Sequence, residues 1–149
     1  MSAGLLVIGY GNTLRGDDGA GQRVAEAAAQ LNLAGVRVLA CAQLTPELAE
    51  SIAGARAVVF VDAAVEQPRC VRLRRIRAAR VPGIATHTTR PQTLLALART
   101  VYGRTPRAWL LTIPAENLDL GETLSATAQN GVRRAIEVVQ ELARIAGGQ

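Results

Sequence analysis

Short apolar runs alternate with helix-patterned stretches along the whole chain, and this alternation restricts the fold more than any other feature. Residues 5–8, 36–40, 57–61 and 108–113 read as strands whose successive positions are mostly apolar, the pattern of strands covered on both faces. Residues 71–76 instead alternate apolar residues with Arg, which suits a half-exposed strand near a sheet edge. Between the runs lie an Ala-rich helix over 20–31, a short helix opened by Thr45-Pro46-Glu47, and a helix from Pro91 with Leu94, Ala98 and Val101 on one face. A last helix spans 125–145, with Ala128, Val132, Ala135, Val139 and Leu142 at 3.6-like spacing, and Gly147-Gly148 end it. The order predicts an α/β fold: one three-layer domain over residues 1–149, with a mostly parallel twisted sheet and helices on both faces. In such sheets ligands sit beyond the carboxyl ends of the strands.

The 149 residues suffice for one core, and 49% hydrophobic with 19% charged residues excludes a disordered chain. The apolar runs are far shorter than the ~18–20 residues a membrane helix needs, so no membrane association is expected. No basic residue precedes Arg15, which argues against a secretory signal and for a cytoplasmic protein. Cys41 and Cys70 form neither a C-x-x-C pair nor a disulfide framework, and they read as free thiols. With one His, a zinc ribbon is excluded, and any metal must be held largely by carboxylates.

All 17 basic residues are Arg, giving a net charge of +5. Nucleic-acid binding is nevertheless not expected. The densest stretch, from Arg69 to Arg80, contains no aromatic residue for base stacking, and Phe, Trp and Tyr total four in the whole chain. The stripe Arg72–Arg77 reads as a device that keeps an edge strand soluble, with docking of a partner as the alternative.

Three features fall at expected strand ends. The first is the loop Gly9-Tyr10-Gly11-Asn12-Thr13-Leu14-Arg15-Gly16-Asp17-Asp18-Gly19-Ala20-Gly21. It is not a dinucleotide loop, because position 14 is Leu where the third glycine would stand, and no Gly-Lys-Ser/Thr follows for a phosphate loop. It presents paired carboxylates at a helix N-terminus among small residues that admit another molecule's backbone. One Asp suffices for a cap, so Asp18 is assigned to function and Asp17 to capping or loop organisation, while Gly11, Asn12, Asp17 and Gly19 are the expected substrate-binding positions. The second feature is Asp62, directly after the strand at 57–61, and the third is His87, within Thr86-His87-Thr88-Thr89 in a loop over 82–90. Two carboxylates and an imidazole suit a borderline divalent metal such as Ni, Zn, Mn or Fe, with positions left open for water or a substrate group.

These residues resemble the hydrogenase maturation endopeptidases, which trim the C-terminus of the nickel–iron hydrogenase large subunit. The likeness rests on Gly9-x-Gly11-Asn12-x-Leu14-x-x-Asp17-Asp18-Gly19-x-Gly21, on Asp62 and Thr86-His87, and on Pro114-x-Glu116-Asn117-Leu118-x-x-Gly121-x-x-Leu124-Ser125. The resemblance implies an endopeptidase that removes a C-terminal extension from a nickel-loaded large-subunit precursor, and no organic cofactor. In it Asp18, Asp62 and His87 recognise nickel supplied by the substrate, and Asp18 or Asp62 is the candidate base. The chain is expected to act as a monomer on that precursor. The alternatives are a non-catalytic metal-binding assembly chaperone using the same three residues, and a nucleotide-binding regulatory module. Ser125 reads as a helix cap, Trp109 and Phe60 as core, and Glu116 as a loop acid.

Overall fold

The computed structural model describes residues 4–80 and 89–147. His87 and its neighbours Thr86 and Thr88 lie outside the described residues. Five strands, β1 (Leu5–Tyr10), β2 (Val36–Cys41), β3 (Ala57–Ala64), β4 (Arg72–Ile76) and β5 (Arg107–Pro114), form one sheet in the order β2-β1-β3-β5-β4. β2, β1, β3 and β5 run parallel, and β4 closes one edge antiparallel to β5. Among the described residues four α-helices accompany them: α1 (Ala20–Gln30), α2 (Leu48–Ala53), α3 (Pro91–Tyr102) and α4 (Ala126–Gly147).

The apolar runs are strands because both of their faces are covered. Leu5, Val7, Val59 and Val61 pack with Val24 and Ala28 of α1 and with Ala135, Val139 and Leu142 of α4. On the opposite face, Leu6, Ile8, Val58 and Phe60 pack with Ile52 of α2 and Leu94 and Leu95 of α3. The result is the expected three-layer α/β arrangement. β4 takes the edge position that its alternating pattern requires, with residues 72–75 exposed and Ile76 buried.

Local chemistry departs from expectation at two places. Thr45-Pro46-Glu47 forms a turn ahead of α2 rather than its first turn: Leu48 N–H donates to the Thr45 carbonyl (3.1 Å) and the cap position Glu47 makes no side-chain capping bond. β3 also runs past Asp62 to Ala64, because β5 stays paired with it through Asp62–Thr112, Ala63–Ile113 and Ala64–Pro114. Asp62 is therefore a strand residue, fixed by the sheet, rather than the first residue of a loop. At the other end, Pro91 opens α3 and Gly103, in the left-handed region at φ 81°, ends it.

Candidate active site

The strand order reverses between β1 and β3: the chain passes from β1 to β2 on one side and returns to β3 on the other. The crevice above such a switch point is where open parallel sheets bind ligands. Tyr10 and Asp62 end adjacent strands there, since Gly9 pairs with Val61. The segment from Gly11 to Gly19 arches over the same ends, finishing in a 3-10 turn over Gly16–Gly19 that leads into α1.

Asp17 and Asp18 adjoin in sequence and do different work. Asp17 is fully buried, and its carboxylate accepts from the backbone N–H of Glu116 (2.8 Å), Asn117 (3.0 Å) and Ser125 (2.7 Å) and from the Ser125 hydroxyl (2.6 Å). Burial alone would raise its pKa. The Ser125 hydroxyl and the three backbone donors outweigh that effect and hold it below the ordinary carboxylate value. Ser125 accepts in turn from Ala128 N–H (3.1 Å), so the same hydroxyl caps α4 as its sequence position suggests. Backbone bonds from Gly16 to Gly121 (2.8 Å), Asp17 to Asn117 (2.7 Å) and Gly121 to Leu14 (2.8 Å) complete the junction. Asp17 makes no cap bond to its own helix; it ties the acidic loop to residues 116–125.

Asp18 is half-buried, and its Oδ2 accepts from Asn12 N–H (2.8 Å). Asn12 is exposed, and its side-chain oxygen takes the Leu14 N–H (2.9 Å) in a tight turn. Gln22 reaches back from α1 to the Gly11 carbonyl (2.7 Å). The loop thereby presents Asp18 on a scaffold braced at both ends.

Asp17, Gly11 and Gly19, three of the expected substrate-binding positions, are buried by the protein's own chain. Gly11 sits at φ 139°, and a Cβ there would collide with the Asp18 carbonyl oxygen; one at Gly19 would come 2.7 Å from the Thr13 Cα. The small residues admit the loop's own backbone. Gly11→Ala is expected to cost about 2 kcal/mol or more in urea denaturation, since it adds a strained φ to a backbone collision next to Asp18.

Asp62 accepts from Ala63 N–H (2.8 Å), and the Tyr10 hydroxyl lies beside it. Its pKa is raised, chiefly by burial and further by the negative charge of Asp18; the Tyr10 and Ala63 bonds oppose the rise. The electrostatic influence of Asp18 on Asp62 places the two carboxylates in one field. Tyr10 is pushed well above its ordinary value by burial, then by the Asp62 charge and the hydrogen bond to it, so it remains a protonated donor. The Cys41 thiol, half-buried beside Tyr10, is also raised by burial. It is a free thiol, as is Cys70. Among the described residues no group of three or more His, Cys, Asp or Glu side chains is arranged to hold a metal ion.

No protein-family model matches the chain, and comparison with curated proteins gives no match. Solved structures do match. The hydrogenase maturating endopeptidase HybD from E. coli superposes with a TM-score of 0.77 at 26% identity, covering 96% of this chain and 93% of that one. A solution structure of an endopeptidase from Escherichia coli gives 0.73 at 26% identity over the same shares. Over nearly its whole length this chain is therefore similar to the hydrogenase maturation endopeptidases. The [NiFe] hydrogenase maturation protease HycI from Thermococcus kodakarensis KOD1 has the same fold, with a TM-score of 0.74 at 23% identity over 94% of this chain and 92% of that one.

Tyr10 was not legible as a site residue, because a Tyr closing an apolar strand reads as packing. Only the β1–β3 register sets its hydroxyl against Asp62. Trp109, expected in the core, is half-buried under the guanidinium groups of Arg75 and Arg107, 5.1 and 5.8 Å from its ring centre. Phe60 is core, at 0% exposure. Glu116 pairs with Arg69 at 3.3 Å on the surface, a contact of little energetic weight.

Proposed function

We propose that this chain is a processing endopeptidase that removes a C-terminal extension from a nickel-loaded hydrogenase large-subunit precursor. In this reading Asp18, Asp62 and His87 recognise the nickel carried by the substrate. The observation that carries it is the pair Asp18 and Asp62, two carboxylates sharing one field at the β1/β3 switch point, on a loop whose internal polar contacts leave Asp18 half-buried. Two like charges so placed repel, and a divalent cation offsets that repulsion. Nickel then contributes binding energy only when the precursor carries it, which makes cleavage conditional on metal insertion.

The chain's own groups suit the remaining steps. Asp62, with its proton affinity raised, is the candidate to take a proton from the attacking water, with Tyr10 beside it. The exposed Asn12, on the acidic loop, is the candidate contact for an extended peptide. Among the described residues no helix is long and apolar enough to cross a membrane.

The test is mass spectrometry of nickel-loaded and nickel-free precursors incubated with the wild type and with His87→Ala. Cleavage is expected only of the loaded precursor, and at least about 100-fold slower in His87→Ala, because one of three metal contacts is lost. Equal processing of both precursors would overturn the nickel role. Tight nickel-dependent binding with no change in precursor mass would favour an assembly chaperone instead.

A further inference from the structure

The two edges of the sheet are protected differently. β4 carries Arg72, Arg74 and Arg75 at exposed positions, the kind of charge that keeps an edge from pairing with another chain. β2, at the opposite edge, reads Val-Arg-Val-Leu-Ala-Cys, with Arg37 its one charge and no proline. In a parallel pair, alternate residues turn their backbone groups toward the same neighbour. The Gly35 carbonyl accepts from Leu5 N–H (3.1 Å) and the Cys41 carbonyl from Gly11 N–H (3.2 Å), so the odd-numbered positions of this stretch face β1. The even-numbered positions face outward. Val36 N–H is met by the Leu33 carbonyl (3.2 Å), but among the described residues no backbone group bonds Val38 or Ala40 from the open side.

The same stretch has room beside it. Val36 and Val38 lie on the α1 face of the sheet, where with Ala28, Ala29 and Leu33 they line an open groove of about 290 Å³. A strand added at the usual ~4.8 Å from β2 would make four main-chain hydrogen bonds with Val38 and Ala40 and lay an alternate side chain into this groove. β2 also leads to the acid pair. Its last residue, Cys41, pairs with Tyr10, and Tyr10 stands beside Asp62 at the strand ends. From an added strand to β3 is three strand spacings, roughly 14 Å, which four or five extended residues span.

Resting on the endopeptidase reading, we propose that the free edge of β2 holds the precursor's C-terminal extension as an added strand, while the bond to be cut lies at Asp18 and Asp62. An extension leaving the acid pair starts at the carboxyl ends of the parallel strands and runs toward their amino ends, so it lies antiparallel to β2. Main-chain bonds hold an extended peptide with little demand on its side chains, apart from those that enter the groove. A second copy of this chain is the other occupant a free edge could take. Two outward-facing residues and a small groove fall far short of the ~800 Å² per partner of a stable complex. The extension needs no such area, because the nickel contact tethers it and raises its effective concentration at the edge.

Hydrogen–deuterium exchange, read residue by residue by NMR, tests this with a synthetic peptide of the precursor's extension at millimolar concentration. The Val38 and Ala40 amides are expected to exchange about tenfold more slowly with the peptide, while Leu39, whose N–H already faces β1, changes little. Ala40→Pro removes an outward N–H and keeps every bond to β1, a substitution that edge strands accept. It should raise KM for the nickel-loaded precursor about tenfold with kcat unchanged, and Ala40→Thr, which keeps the N–H, should process like wild type. A precursor cut back to a four-residue extension should not distinguish Ala40→Pro from wild type. The exchange measurement needs no variant, so it decides the matter if Ala40→Pro fails to fold. Wild-type processing with Val38 and Ala40 unprotected by the peptide, or with a wild-type KM in Ala40→Pro, overturns the edge assignment and leaves the endopeptidase function standing. Protection of the two amides by raised protein concentration alone, with dimers in sedimentation, overturns it in favour of pairing between copies. A wild type that leaves the precursor uncut and the two amides unprotected overturns both readings.

Discussion

Asp62→Asn is expected to abolish precursor processing, slowing it at least about 1,000-fold, while raising the melting temperature at neutral pH. The two effects have one cause. Asp62 is ionised in a partly buried position beside Asp18, so its charge is held at a cost to the fold, and the raised pKa records that cost. For an acid whose folded pKa exceeds its unfolded value, the folded state binds the proton more tightly. The penalty is therefore full above the folded pKa and disappears as pH falls through the ordinary aspartate value near 4. The stability gap between Asp62→Asn and wild type should be widest at pH 7.5 and close toward pH 4. Thermal melts across that range, paired with a mass-spectrometric time course on nickel-loaded precursor, measure both effects. Processing within tenfold of wild type would remove Asp62 from the mechanism, and a destabilised variant at pH 7.5 would contradict the electrostatic account.

The second large effect is purely structural. Asp17→Ala is expected to destabilise the protein by about 4 kcal/mol and lower the melting temperature by about 10 °C. It leaves the backbone N–H groups of Glu116, Asn117 and Ser125 without their acceptor and frees the Ser125 hydroxyl that caps α4. Hydrogen bonds to a charged acceptor are worth ~1.5–3 kcal/mol each, but four bonds to one group do not add fully. The pH dependence has the opposite sign to that of Asp62. A depressed folded pKa contributes stability that is present above the unfolded value near 4 and lost as pH falls through the folded one. Wild type should therefore lose stability on acidification below about pH 4, and Asp17→Ala should lose less. A cost under ~1 kcal/mol in urea denaturation would show that the junction is held by its backbone bonds alone.

The contrast between these neighbouring aspartates marks the limit of what the sequence discloses. Adjacent carboxylates at a helix N-terminus could be seen to exceed the needs of capping, and Asp18 could be set apart as the functional one. That Asp17 spends its acceptors on residues about 100 positions away could not be seen, because the partners are backbone N–H groups with no sequence signature. The same holds for Gly11 and Gly19: small residues predict a close approach, but not that the approaching backbone is the protein's own.

The sequence by itself determined the layers and the strand content. Apolar periodicity reports burial, and strands apolar at successive positions can be satisfied only between two sheets of helices; the alternating Arg pattern likewise assigned β4 to an edge. Tertiary structure alone decided which side chains meet. The β1–β3 register sets Tyr10 against Asp62, the continued β3–β5 pairing makes Asp62 a fixed strand residue, and the antiparallel docking of β4 sets Arg75 against Trp109. Each of these depends on pairing between segments far apart in the chain. Local propensity and periodicity carry no information about which distant strand a segment will pair with, or in what register.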